Sequence, residues 1–267
     1  MALNAKTITN KEYFYGHKAC GGCGAALAIR LALKVLGDRA VAVIPPNCMS
    51  TVAFIYPHMP LFTNGMIPPF AGTAAVMSGI LAGAKAQGLE DYHVVGFAGD
   101  GGTADIGLQA LSGMIDRNDK AIFICYDNEA YMNTGVQRSS STPHFADTTT
   151  TPQGKVIPGK LQQKKNLTMI MVAHGIPYVA QTTFIGNFKD ISEKAHKAIY
   201  TPGPAFLNVM APCPRGWRYP TEKLMEVTKM AVETCVWPLY EVIEGKYVIN
   251  YVPKNKLPVE EYLKMQG

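Results

Sequence analysis

Short apolar runs alternate along this chain with stretches whose apolar positions recur at helical spacing, a pattern expected of parallel strands joined by crossover helices. Residues 24–36 have the helical period and stop at Gly37, while 40–44, Ala-Val-Ala-Val-Ile, read as a strand ended by Pro45-Pro46, because proline cannot donate to a ladder. Residues 72–86 predict a helix of small residues, with Gly79 and Gly83 spaced for close packing. A strand at 93–98, a helix at 103–117 and a strand at 121–126 follow. Near-continuous hydrophobicity in these strands indicates burial on both faces. Residues 138–166, rich in Ser, Thr, Pro, Gly and Lys, read as a long loop. The alternation resumes with a helix near 166–174, a strand at 178–183, a helix near 187–200 and a strand at 205–210. Beyond these come a helix at 221–235, a two-stranded segment around Glu244-Gly245 and a short helix opening at Pro258. The expected fold is α/β, a doubly wound, mostly parallel sheet in residues 1–217, with 218–267 a small C-terminal extension packed on that domain or on a partner.

Three stretches directly follow strand-like runs: Asn47-Cys48, Gly99-Asp100-Gly101-Gly102 and Asp127-Asn128-Glu129-Ala130. If those strands are neighbours, all three meet at one rim, and open α/β sheets bind ligands at that rim. Strand, Gly-Asp-Gly-Gly, helix suits an anion: the glycines let backbone N–H groups approach it, and a helix N-terminus adds its positive end. Asp100 would repel that anion unless a cation bridged them, and magnesium prefers phosphate oxygens plus one or two protein oxygens. Asn128 offers a side-chain oxygen and Ala130 a main-chain carbonyl for the same ion. The third glycine of a dinucleotide fingerprint would fall at Ala104, so that reading fails.

The 25 basic and 20 acidic residues give a net charge of +5, and the densest basic group, Lys160, Lys164 and Lys165, reads as a solvated face rather than a nucleic-acid stripe. A mild positive balance favours docking an acidic partner such as a small electron carrier. No stretch has signal-peptide or membrane-span character, which predicts a cytoplasmic protein with no membrane partner. There the six cysteines read as metal ligands, catalytic groups or buried apolar residues rather than disulfides, and the sequon at Asn166 as silent. Cys20-Gly-Gly-Cys23 suits zinc, an iron–sulfur cluster or a redox dithiol. Cys48 and Cys213 both follow strand ends and so reach the same rim. Cys125 lies inside a strand and reads as core, and Cys235 as a packing or surface thiol. His58, His93 and His174 have no ligand spacing and read as surface or satisfied core residues, and His17, three positions before Cys20, is read the same way.

Gly99-Asp100-Gly101 continuing to Asp127-Asn128-Glu129-Ala130-Tyr131 and Asn133-Thr134-Gly135 resembles the thiamine-diphosphate and magnesium motif of thiamine enzymes. Together with Cys20-Gly-Gly-Cys23, the run from Tyr126 to Gly135 is similar to the β subunit of pyruvate:ferredoxin oxidoreductase and its 2-oxoacid relatives, over about Gly16 to Tyr262. The resemblance implies a pyrophosphate-type thiamine domain in which Asp100, Asn128 and the Ala130 carbonyl hold Mg2+. Gly99, Gly101 and Asn133, with Gly102 and Thr134, would contact thiamine diphosphate, and Cys20, Cys23, Cys48 and Cys213 would ligate a [4Fe–4S] cluster. It implies oxidative decarboxylation of a 2-oxoacid, most simply pyruvate, with branched-chain 2-oxoacids or oxalate as alternatives. Coenzyme A would be the acyl acceptor and ferredoxin the electron acceptor.

No second α/β unit exists here to supply the glutamate that activates the aminopyrimidine, so that group is expected on a partner α subunit, with γ and ferredoxin-like δ subunits completing an obligate complex. Two rivals stand beside this reading. A zinc-binding interaction module explains the cysteines but leaves Asp100 and Asn128 idle; a non-redox thiamine enzyme explains the diphosphate site but not four cysteines at one rim.

Overall fold

The computed structural model describes residues 2–267, and its centre is an eight-stranded sheet in the order β2-β1-β3-β4-β6-β5-β7-β8. The strands are β1 (Ala40–Val43), β2 (Asn64–Met66), β3 (His93–Gly99), β4 (Ile122–Asp127), β5 (Tyr178–Thr182), β6 (Ala205–Met210), β7 (Tyr240–Ile243) and β8 (Lys246–Ile249). The first six pair in parallel, and β7 and β8 are antiparallel additions at the far edge. Helices cover both faces, as double winding requires. One face packs Phe97, Ile124, Leu207 and Val209 against α1 (Gly24–Leu36) and α7 (Lys189–Tyr200). The other packs Val94, Phe123, Cys125 and Phe206 against α3 (Thr73–Ala86), α5 (Leu108–Asp116) and α6 (Leu167–Ala173). Strand residues alternate between the two clusters, which is why the runs are apolar throughout. Cys125 is core, as expected, and Cys235 is exposed.

Sequence and structure differ at several elements. The edge strand β2 and the six-residue helix α2 (Cys48–Ala53) carry too few apolar positions to show a period. The only signal for α2 was its start, where Asn47 accepts from Met49 N and Ser50 N while Asn47 N donates to Ser50 Oγ. The helix expected at 103–117 is two: α4 (Asp100–Ala104) begins at the Gly-Asp-Gly-Gly run itself and breaks before α5. At Gly107 a Cβ would lie 2.2 Å from the Gly102 carbonyl oxygen, so only glycine admits the break. Within this chain nothing lies within 4 Å of a Cβ at Gly79 or Gly83, so the close packing expected there is not made by its own elements. Asn166 caps α6 through Met169 N. The two-stranded segment is the β7–β8 hairpin, turned by Glu244 and Gly245, both with positive φ. Finally, α8 (Leu224–Glu233) and α9 (Val259–Leu263) form a third apolar cluster with Trp217, Tyr219 and Trp237.

The N-terminal segment is tied to α1 by Glu12, whose carboxylate accepts from Arg30 Nε and Nη2, each at 2.8 Å, and lies 2.8 Å from Lys34 Nζ. Arg30, then Lys34, hold this carboxyl down at about 2 against a burial effect that opposes them. A depressed folded-state value stabilises above the ordinary carboxyl range and is lost as pH falls through it. We therefore expect Glu12→Gln to cost about 1–2 kcal/mol above about pH 5, a figure reduced for partial exposure. The deficit should shrink steadily between about pH 4.5 and 2 in urea titrations; a deficit independent of pH would contradict this.

Candidate functional site

Four neighbouring parallel strands, β1, β3, β4 and β6, end at the same rim, and each delivers one part of the site. β1 leads to Cys48 at the start of α2; β3 leads to Asp100; β4 ends in Asp127 and continues through Asn128 to Ala130; β6 leads to Cys213. A cavity of about 350 Å³ opens at this rim, lined by Cys48, by Gly99, Gly101 and Gly102, and by Asn128, Ala130, Asn133 and Thr134. Sulfur and oxygen donors far apart in sequence thus share one cavity.

Asp100 is fully buried. Its Oδ2 accepts from Ser139 Oγ at 2.5 Å, and burial, then the like charge of Asp127, hold its carboxyl well above the usual range. The side-chain oxygen of Asn128 faces two other acceptors, 2.8 Å from the Ala130 carbonyl oxygen and 2.9 Å from Asp100 Oδ1. With no ion between them three acceptors would not be left so close, and turning the amide over would let its nitrogen donate to both. The same arrangement fits Mg2+ directly. At an Mg–O distance of about 2.0–2.1 Å in octahedral geometry, adjacent ligands lie roughly 2.9 Å apart. The amide nitrogen inward satisfies both acceptors in the ion-free chain, and the amide oxygen inward is the orientation a bound cation would require.

The turn that aims these oxygens is unusual: Glu129, between the two β4-derived donors, has φ +70°, a conformation L side chains rarely adopt. The carbonyl of Glu129 accepts from Thr142 Oγ1 at 2.5 Å, and Trp217 Nε1 donates to the Asn128 carbonyl at 2.9 Å. Tyr131 packs so closely on Gly101 that a Cβ there would lie 2.4 Å from the ring, and its hydroxyl lies 3.0 Å from Asp105 Oδ2. Glycine at 101 is thus required by the ring, a constraint the sequence reading did not contain. Thr134 lines the cavity while its hydroxyl donates to Gln137 Oε1.

Residues 138–166 lack helix and strand, as the composition predicts, but they form the back of the site. Ser139 and Thr142 hold Asp100 and Glu129 as above. The lysines read as a solvated face are not one. Lys160 is fully buried and donates to the carbonyls of Ser140 and Thr142; Lys164 lies 3.0 Å from Asp127 Oδ2 and 2.8 Å from Glu129 Oε1; Lys165 donates to the Ala104 carbonyl and sits 3.5 Å from Asp105 Oδ1. Burial by itself would lower Lys164, but Asp127 and Glu129 outweigh it and keep the ammonium charged. Clustering of lysines in the sequence carried no sign of this, because their carboxylate and carbonyl partners lie on other elements.

Cys20, Cys23 and Cys213 all come near enough to Cys48 to act on its thiol, and Cys20 also lies near Cys23 and Cys213. Burial, then the neighbouring thiols, push Cys48 up to about 12; Cys23 is pushed up to about 11, and Cys213 upward, with burial the chief cause in each. Burial of this kind leaves Cys23, Cys48 and Cys213 as neutral thiols unless a metal centre draws them into the thiolate form. Among the described residues no three His, Cys, Asp or Glu side chains are placed to hold a metal ion. Backbone contacts build this group. Gly24 N donates to the Pro212 carbonyl at 3.1 Å, a Cβ at Gly24 would lie 2.7 Å from the Ala211 carbonyl carbon, and Tyr219 OH donates to the Gly22 carbonyl at 2.9 Å. His17 stacks on Phe14 and its Nδ1 accepts from Ala19 N, just ahead of Cys20.

Sheet order, rim and cavity define a thiamine-diphosphate-binding domain, and residues 48–209 match the thiamine pyrophosphate enzyme, C-terminal TPP binding domain family. The chain is 50% identical over 251 residues to pyruvate synthase subunit PorB of Methanothermobacter thermautotrophicus, covering 94% of this chain and 87% of that one. It is 49% identical over 264 residues to ketoisovalerate oxidoreductase subunit VorB of Pyrococcus horikoshii, covering 96% and 85%. The chain therefore belongs to the PorB/VorB subunit family of 2-oxoacid:ferredoxin oxidoreductases. A solved 2-oxoglutarate:ferredoxin oxidoreductase from Magnetococcus marinus shares the fold, with a TM-score of 0.65 over 86% of this chain and 84% of that one at 22% identity. Among the described residues no helix is long and apolar enough to cross a membrane.

Proposed function

We propose that this chain is the thiamine-diphosphate-binding subunit of a cytoplasmic, multi-subunit pyruvate:ferredoxin oxidoreductase that forms acetyl-coenzyme A and carbon dioxide. The observation that carries the reading is the single cavity lined by Asn128 and Ala130 as well as by Cys48, with the buried Asp100 carboxylate 2.9 Å from the Asn128 side chain. Thiamine diphosphate supplies an electron sink for the carbon that loses carbon dioxide, and a [4Fe–4S] cluster takes electrons one at a time. Asp100, Asn128 and the Ala130 carbonyl are the donors for Mg2+ at the diphosphate. The Gly99–Gly102 backbone, Asn133 and Thr134 border the cofactor, and Cys20, Cys23, Cys48 and Cys213 are the cluster ligands. Ser139 and Thr142 hold the metal-binding turns from behind, so the donors are in place before the ion arrives.

Among the described residues no glutamate lines this cavity, so activation of the aminopyrimidine is assigned to a partner α subunit, with γ and ferredoxin-like δ subunits and external ferredoxin as the remaining partners. The near-equal identity to a ketoisovalerate oxidoreductase subunit favours branched-chain 2-oxoacids as the second reading. The test is a 2-oxoacid panel with the co-purified complex and with this chain alone. We expect ferredoxin reduction with pyruvate and coenzyme A from the complex and none from the single chain; robust turnover by the single chain, or no response to any 2-oxoacid, overturns the proposal.

A further inference from the structure

We infer that Lys164 is a positioning residue for the divalent cation: it clamps the strained Glu129 turn so that Asn128 and Ala130 present their oxygens at octahedral spacing. The inference rests on the metal reading of Asp100, Asn128 and Ala130 given above. Three observations carry it. Lys164 Nζ spans Glu129 Oε1 at 2.8 Å and Asp127 Oδ2 at 3.0 Å, so one cation joins the residues on either side of Asn128. Glu129 has φ +70°, and such a conformation in a residue other than glycine persists only when its surroundings hold it. The ammonium also lies 5.1 Å from the centre of the Trp237 ring, whose face adds a third partner to the two carboxylates.

The geometry assigns the clamp a specific effect. In the αL conformation at 129, the flanking residues turn the Asn128 side chain and the Ala130 carbonyl toward the same point, 2.8 Å apart. If the Glu129 side chain is released, the turn gains freedom to relax toward ordinary φ values and the two oxygens separate. Mg2+ demands near-ideal octahedral geometry, whereas Ca2+ accepts longer and more irregular coordination. Loss of the clamp should therefore penalise Mg2+ more than Ca2+. A merely structural lysine would weaken both ions alike, through the fraction of folded protein.

The test uses the purified complex stripped of cofactor, with thiamine diphosphate binding followed by quenching of tryptophan fluorescence while Mg2+ or Ca2+ is titrated. For Lys164→Met we expect the half-saturating Mg2+ concentration to rise about tenfold or more, as removal of groups that orient metal ligands commonly does, and the Ca2+ value to change by less than about threefold. Lys164→Arg, which can still bridge the two carboxylates, should restore most of the Mg2+ affinity. If Lys164→Met does not accumulate folded, Glu129→Gln breaks the clamp while leaving Lys164 on Asp127 and should shift Mg2+ in the same direction. Unchanged Mg2+ affinity, or equal weakening of both ions, overturns the inference. Asn128→Ala separates the two readings: if it leaves cation-dependent binding intact, the metal site itself is wrong, and if it abolishes binding while the clamp variants behave as wild type, only the clamp is wrong.

Discussion

Asp100→Asn is expected to abolish Mg2+-dependent thiamine diphosphate binding while leaving the cofactor-free protein at least as stable as wild type. The two effects have one cause. Asp100 is fully buried beside Asp127, so its charge is costly until a cation compensates it. An asparagine keeps the shape and still accepts from Ser139 Oγ, but it removes the charge that draws the ion. Isothermal titration should show a loss of affinity of about a hundredfold or more, the upper range for removing a charged ligand from a metal site. The thermal midpoint of the cofactor-free chain should hold or rise by about 2–4 °C, the equivalent of about 1 kcal/mol at this size. Retained binding would remove Asp100 from the metal site. A large fall in the midpoint would instead make Asp100 a structural hydrogen-bond acceptor whose ionised form the fold requires.

The second large effect is expected at the sulfur wall. Cys48→Ser should remove most of the broad visible absorption of the purified complex and reduce ferredoxin reduction by at least about a hundredfold, because a cluster with a missing thiolate is poorly held and shifted in potential. Thiamine diphosphate affinity should change by less than about threefold, since the oxygen donors come from β3 and β4 while Cys48 comes from β1. The contrast with Asp100→Asn is the informative part: one variant loses the cofactor and keeps the colour, the other the reverse. Equal loss of both functions in both variants would mean that they report a general loss of structure. A colourless wild-type complex containing zinc would end the redox reading altogether.

Much of this was legible without coordinates. The alternation of apolar runs with helical spacing fixes a parallel sheet with helices on both faces, because each run had to be buried on two sides. The strand-end positions of Cys48, Asp100, Asn128 and Cys213 then follow, since strands that run the same way end at the same rim. Local sequence could not determine which strands are neighbours, and the convergence of Cys48 and Cys213 on Cys20 and Cys23 depends on the order β1-β3-β4-β6. Nor could it disclose that Lys160, Lys164 and Lys165 turn inward, because their partners Asp105, Asp127 and Glu129 lie far from them in the chain.

The amino-acid sequence by itself determined the architecture and the kinds of donor available, for hydrophobic period and strand-end chemistry are local properties of the chain. Only the tertiary structure decided which donors share a cavity, which backbone is strained to aim them, and which charges are buried against each other. Those depend on distances between segments, and hydrophobic burial sets such distances only when the whole sheet is assembled.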